Sequence, residues 1–142
     1  GLPGDTVQFI DGDVYLNDKQ VLKSYIKSIT NGSCGSKSIE VRSFEEKLPN
    51  GKKYLASYLK NYSYQNSDKF KVPKNHFFYL GDNRDCSKDS RFLSSVGYVH
   101  KDNIVGKARF IFFSSDYRIG RVFEFWKWHK SFRIKRFFKK II

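Results

Sequence analysis

His76-Phe77-Phe78-Tyr79-Leu80-Gly81-Asp82-Asn83-Arg84-Asp85-Cys86-Ser87-Lys88-Asp89-Ser90-Arg91 is the stretch on which the reading of this chain turns. Phe77 to Leu80 reads as a short buried strand, and Gly81-Asp82-Asn83 supplies the turn chemistry that stops it. The run from Gly81 to Arg91 then carries three acids, three bases and two serines. Hydroxyls and charges delivered at the end of a rigid strand are a common way to build an active site. The competing reading is a solvated turn after a core strand.

Working outward, Thr6 to Ile10, Asp13 to Asn17 and Lys19 to Leu22 read as short strands separated by Asp11-Gly12 and Asn17-Asp18. Asp-Gly between two strand-like runs is a hairpin signal. Asn31-Gly32-Ser33-Cys34-Gly35-Ser36 reads as a loop, and Ile39 to Phe44 as a further strand. Asn50-Gly51 turns the chain before a tyrosine-rich run in which Tyr54, Tyr58 and Tyr62 have the spacing of a helical packing stripe. Ser67-Asp68 to Val72-Pro73 returns to the strand carrying the charged run. Asn103 to Ser114 predicts a long strand with Gly106 as a bulge position. The expected fold is mainly β, an antiparallel coiled β-sheet core. Residues 1–22 and about 71–142 form that core, with an inserted lobe or extended loop over about 23–70.

The charged run resembles the Gly-Asp-Asn-Arg-x-x-Ser-x-Asp-Ser-Arg box of bacterial type I signal peptidases, membrane-anchored serine proteases that remove signal peptides from exported proteins. Gly1-Leu2-Pro3-Gly4-Asp5 is similar to the segment that follows the family's catalytic lysine. Val96 to Val99 and Ile104-Val105-Gly106-Lys107-Ala108 resemble its strand leading out of the active site. Phe123-Glu124-Phe125-Trp126-Lys127-Trp128 through Phe132-Arg133-Ile134 is similar to the tails of some proteobacterial members. The matches fall in family order and cover residues 1–16 and about 72–138, leaving the middle loosely matched.

The resemblance implies a β-rich core with a smaller inserted lobe, and a serine nucleophile with a lysine general base. It places both dyad residues, and an N-terminal membrane anchor, upstream of Gly1. The absence of methionine fits a portion of a longer protein. No catalytic residue is therefore expected within this chain, which is expected to be inactive alone. Ser87 matches the serine that positions the lysine amine. Asp89 and Arg91 match an ion pair beside the site, and Gly81, Asp82, Asn83 and Arg84 shape the turn. Asp5 is expected to brace the start of its strand. The expected partners are signal peptides of exported preproteins, with the catalytic domain on the extracytoplasmic side of the bacterial inner membrane. The alternative from a different class is a non-catalytic β module that binds peptides or membrane surfaces.

A catalytic set inside the chain is disfavoured. Ser87 and Lys88 are adjacent, and neighbouring strand side chains leave on opposite faces. His76, His100 and His129 read as strand-end or surface residues. No cluster has metal-ligand spacing, so neither metal nor cofactor is expected. Cys34 and Cys86 are too few for a disulfide scaffold and too far apart for a CxxC motif; two free thiols are the favoured reading, and a Cys34–Cys86 bridge, which needs Cα atoms within ~7 Å, is the alternative.

Charge adds a second theme. The chain carries a net charge of +13, with nine Lys or Arg and one Glu between Arg118 and Ile142. Basic residues interleaved with aromatics suit phosphates and stacked bases, or anionic lipid, or a tail packed on its own domain. Ile134, Phe137, Phe138, Ile141 and Ile142 outline an amphipathic basic helix. The family resemblance favours the membrane surface, with nucleic acid unlikely. There is no apolar run near the ~18 residues that a bilayer span needs.

Overall fold

The computed structural model describes residues 1–34, 37–60, 66–116, 119–120 and 123–141. It is mainly β, with antiparallel sheets and short helical turns. Two units divide it, Gly1–Ile104 and Val105–Ile142.

The first unit opens on β1 (Thr6–Ile10), β2 (Asp13–Leu16) and β3 (Lys19–Gln20), which form a meander that β7 (Phe70–Lys71) joins on the far side of β1. The turns between these strands follow from their residues. Asp11 and Gly12 lie at φ 48° and 81°, and Asn17 and Asp18 at 52° and 62°. Two consecutive left-handed residues twist a two-residue turn to match the strands, and Asp, Asn and Gly reach that region most cheaply. Period-two alternation sends Val7, Phe9 and Val14 inward, where they join Val21, Phe70, Val72 and Phe78 in one core. Leu16, Leu48, Leu80 and Tyr98 pack against its rim.

A second sheet occupies the middle of the sequence. β4 (Leu22–Cys34), β5 (Lys37–Lys47) and β6 (Lys53–Leu59) pair antiparallel in that order. The middle region is thus a three-stranded sheet. Residues 31–34, expected as loop, continue β4, and 35–36 lie outside the described residues. Register irregularities between Tyr25 and Lys27 and between Ile29 and Gly32 absorb the extra residues that such a long pair accumulates.

The tyrosine stripe is a strand, not a helix. Tyr54, Ala56 and Tyr58 share one face of β6, opposite Glu46, Phe44 and Arg42 of β5. A spacing of four is a multiple of two as well as close to 3.6, so the tyrosines alone do not separate strand from helix. Tyr62 lies outside the described residues.

β8 (His76–Phe77) pairs with β9 (Val99–His100). The strand expected over Phe77 to Leu80 is shorter and only Phe78 in it is fully buried. Beyond Phe77 the backbone continues through other partners. Phe78 N–H donates to Gly1 O at 2.9 Å, and Gly1 N donates back to Phe78 O at 2.7 Å.

The second unit holds β10 (Phe110–Ile111), α1 (Trp128–Ser131) and β11 (Lys139–Lys140). The long strand expected over Asn103 to Ser114 reduces to β10, and residues 104–109 lie in no regular element. The amphipathic helix over Ile134 to Ile142 does not form among the described residues. Ile134–Arg136 make a single 3-10 turn, Phe138 sits at φ 53°, and β11 pairs with β10. A left-handed Phe138, held by its N–H to Ile111 O at 2.7 Å, stops any helix there. Phe113, Phe132, Phe137 and Trp128 cluster by ring contacts, and Arg133 pairs with Asp116.

Candidate functional site

Gly81 to Arg91 leaves the core at Phe78 and returns to it at Ser90. The return is closed by hydrogen bonds: Ser90 N–H donates to Tyr79 O at 3.2 Å, and Tyr79 N–H donates to the Ser90 hydroxyl at 2.9 Å. Ser90 is completely buried, while Lys88 is exposed, so those two do not share a face.

Within the loop, Asp89 organises the side nearer the core. Its carboxylate takes the Arg91 guanidinium through Nε and Nη2, each at 2.8 Å, and both residues are buried. A two-point Arg–carboxylate pair fixes orientation as well as charge. The same carboxylate accepts the Gly81 N–H at 2.8 Å, drawing the two ends of the loop together. Arg91 also donates to Arg84 O, to Ser87 O at 3.4 Å, and lies over the Phe9 ring at 5.6 Å. Ion pair and core are therefore in contact.

Ser87 is brought directly against Gly81. A Cβ added to Gly81 would sit 2.0 Å from the Ser87 hydroxyl oxygen and 2.3 Å from its Cβ. No side chain fits there, so Gly81 is the condition for Ser87's position. The Ser87 hydroxyl, half-buried, has no hydrogen-bond partner among the described residues.

The outer side of the loop is anchored on the middle sheet. Arg84 is 2% exposed and its Nη2 meets Glu46 Oε2 at 2.6 Å, with Glu46 itself 1% exposed. Tyr54 donates to the same oxygen at 2.7 Å and Tyr58 donates to Glu46 Oε1. Removing two charges from water is costly, and here the carboxylate is compensated by three donors. Ser57 N–H donates to Asp82 O at 2.7 Å, and Leu59 N–H donates to the Asp85 carboxylate at 2.8 Å. Asn83 bridges Ser57 in parallel and precedes the 3-10 turn Arg84–Cys86.

A disulfide completes the attachment. Cys86 is bonded to Cys34, the last residue of β4, with Cα atoms 5.3 Å apart. The expectation of two free thiols is corrected. The long β4–β5 hairpin carries Cys34 to the loop, a juxtaposition that a separation of 52 residues does not reveal.

Sequence reasoning thus selected Gly81 to Arg91 and missed the residues that hold it: Glu46, Tyr54, Tyr58, Ser57 and Cys34. A buried Glu opposite alternating tyrosines was the available signal, since such a carboxylate needs partners. Asp5 accepts from Asn17 Nδ2 at 2.8 Å and Leu2 N–H at 2.7 Å, bracing the entry to β1. Burial would raise its pKa, but these bonds outweigh that and hold it below the usual carboxylate value.

His76 and His100 face each other across β8 and β9 with ring centroids 4.9 Å apart, and His129 is exposed in α1. Among the described residues no group of three or more His, Cys, Asp or Glu is placed to hold a metal ion. Beside the loop, Gly1, Val14, Leu48, Phe78, Tyr54 and Arg84 line part of an open, largely apolar cavity of about 600 Å³.

Two measurements test the anchor, with an exposed ion pair for contrast. Glu46→Ala strands the Arg84 guanidinium in the interior, and denaturant unfolding should register a loss of about 3–5 kcal/mol. Lys69→Ala, which breaks the exposed pair with Asp18, should cost under about 1 kcal/mol. Burial first, and then the Glu46 carboxylate, push the Tyr54 hydroxyl up to about 12 from its ordinary 10.0. A raised folded value favours the neutral phenol. Its contribution is complete below pH 10 and is lost as pH rises towards 12. Phenolate absorbance of the chain minus that of Tyr54→Phe should show the missing step near the upper value; a midpoint at the ordinary value would mean an exposed hydroxyl.

Comparisons with known proteins converge on one family. The model of the family described as "Signal peptidase, peptidase S26" matches residues 1–113. The chain is 36% identical to "Signal peptidase I" of Rickettsia typhi over 156 aligned positions, covering 99% of this chain and 57% of the relative. It is 37% identical to "Signal peptidase I" of Rickettsia akari, covering 99% of this chain and 56% of that protein. The chain thus spans little more than half the length of these relatives. No solved structure matches significantly.

Proposed function

Because this chain belongs to the signal peptidase family, peptidase S26, we propose that it is part of the catalytic domain of a type I signal peptidase. The activity is that of a serine endopeptidase with a Ser/Lys dyad, which removes signal peptides from exported preproteins at the membrane surface. The observation that carries the reading is the Ser87 hydroxyl packed on the bare Cα of Gly81, with Asp89 already neutralised by Arg91.

The chemistry asks for that arrangement. A lysine with its ordinary pKa of about 10.4 is protonated at neutral pH and takes no proton from a serine. Apolar burial lowers the value and frees the amine as a base. A nearby unpaired carboxylate would undo this by stabilising the ammonium. Asp89 spends both oxygens on Arg91 and Gly81, while the Ser87 hydroxyl is left to orient an incoming amine.

The backbone supplies the path for such a lysine. Gly1 and Phe78 exchange both hydrogen bonds as an antiparallel pair. Polypeptide preceding Gly1 and continuing that register runs beside Tyr79, Leu80 and Gly81. A residue three or four positions before Gly1 then lies at the level of Gly81, next to Ser87. Neither the nucleophile nor the base is assigned to a residue of this chain. Ser87, Asp89 and Arg91 act as support, and Gly81, Asp82, Asn83 and Arg84 give the loop its shape.

The second unit is read as the contact with anionic lipid, on the extracytoplasmic side of the inner membrane. Phe123 is 89% and Trp126 59% exposed, beside a cation-rich sequence. Aromatics at headgroup depth and cations against surface charge bind a bilayer without spanning it. No helix among the described residues is long and apolar enough to cross a membrane.

Two experiments test the reading. The chain extended upstream should cut a signal-peptide substrate, whereas these 142 residues alone should not. In the extended protein, Ser87→Ala and Gly81→Ala should each lower kcat, the second because its methyl displaces Ser87. Cleavage by the short chain, freed of contaminating protease, would place a nucleophile inside it and defeat the assignment. For the tail, Phe123→Ser with Trp126→Ser should weaken sedimentation with phosphatidylglycerol vesicles, and salt should weaken it further. Equal binding to neutral vesicles would rule out the electrostatic part.

A further inference from the structure

The Cys34–Cys86 bond lies at an unusual place for a simple staple. Cys86 is the residue immediately before Ser87 and ends the 3-10 turn Arg84–Cys86. Its partner closes β4 at the far end of the middle sheet. The apolar core of Val7, Phe9, Val14, Val21, Phe70, Val72 and Phe78 includes neither cysteine.

Other contacts hold the loop on either side of this bond. Arg84 is fixed by Glu46 at 2.6 Å and Asp85 by Leu59 N–H at 2.8 Å. Asp89 and Arg91 hold the return. Between these anchors the Ser87 carbonyl accepts one hydrogen bond, from Arg91 Nη2 at 3.4 Å, and its hydroxyl, packed on Gly81, makes none among the described residues. Opening the disulfide therefore leaves the fold anchored and relaxes the few residues around Ser87. Both cysteines are half-buried, which leaves the bond within reach of a thiolate.

We infer that the Cys34–Cys86 bond is a reducible tether that positions Ser87, so that the thiol state of this pair sets turnover. The effect on turnover rests on the signal-peptidase reading, while the tether itself does not. The reductant is a dithiol of the thioredoxin class. One of its thiolates attacks one sulfur of the pair and forms a mixed disulfide; its second thiol resolves that bond. The reductant leaves as a disulfide, and Cys34 and Cys86 are left as two thiols, having gained two electrons and two protons. An oxidising disulfide carrier reverses the exchange.

Ser87 acts on the base and not on the bound peptide, so the expected signature is in kcat. A misplacement of 1 Å near the chemistry costs up to roughly 100-fold. Reduction of the full-length protein by a dithiol should lower kcat by about tenfold or more, with KM nearly unchanged, and reoxidation should restore it. Cys34→Ser should hold the enzyme at the reduced rate and make it indifferent to dithiol. Alongside, amide exchange read by mass spectrometry should quicken over residues 84–88 on reduction and stay unchanged in β1 and β2.

Equal kcat and equal exchange in the two thiol states overturn the inference. Equal kcat with faster exchange overturns the positioning role. Loss of protection across β1 and β2 as well would show a global staple instead of a local tether, and would also overturn it. If the full-length protein cuts no signal peptide in either state, yet exchange quickens over 84–88 alone, the tether stands and the peptidase reading falls.

Discussion

The Arg84–Glu46 pair is the constraint on which the placement of the loop depends. A guanidinium and a carboxylate, both withdrawn from water, are each costly to leave without the other, which ties Arg84 to Glu46. Tyr54 and Tyr58 from β6 complete the carboxylate's shell. That requirement fixes the turn after Asn83 against the middle sheet, whereas Asp89 and Arg91 fix the return against Phe9. Ser87 lies between the two ion pairs. Its position is set by two separate parts of the chain, and a shift in either part is felt at one hydroxyl.

This arrangement gives the middle sheet a role beyond filling sequence between the first meander and the charged loop. It supplies one wall against which a polar loop is held rigid, which is what a site needs when its own residues are hydroxyls and charges. The Asp89–Arg91 pair supplies a different service. It neutralises a carboxylate that would otherwise bias any nearby amine towards its protonated form.

Much of the first meander was legible because its turns are chemically explicit: Asp11-Gly12 and Asn17-Asp18 name their own backbone conformation. Gly81 to Arg91 was legible as a motif, and Asp89–Arg91 as a pair through the family resemblance that motif carries; in the fold the two residues meet across a turn closed by Phe92 N–H on Asp89 O. The Cys34–Cys86 bond and the Glu46 cluster were not, since both depend on register within a hairpin that sequence leaves free. Tyr54 and Tyr58 misled for a definite reason, their spacing satisfying two periods at once. The tail misled because Ile134, Phe137, Phe138 and Ile141 fit a helical wheel. Pairing of Lys139–Lys140 with Phe110–Ile111, a long-range contact, overrode that local pattern.

The docking of the loop on β6 has a consequence for solubility. β6 is the last strand of its sheet, and an uncovered last strand offers a row of unpaired N–H and C=O groups to any passing chain. Ser57 and Leu59 direct their N–H groups away from β5 and into Asp82 O and the Asp85 carboxylate. The same few bonds that orient the loop thereby close an edge to intermolecular β-pairing. Variants that loosen the loop expose that edge, so their first symptom in concentrated solution is self-association.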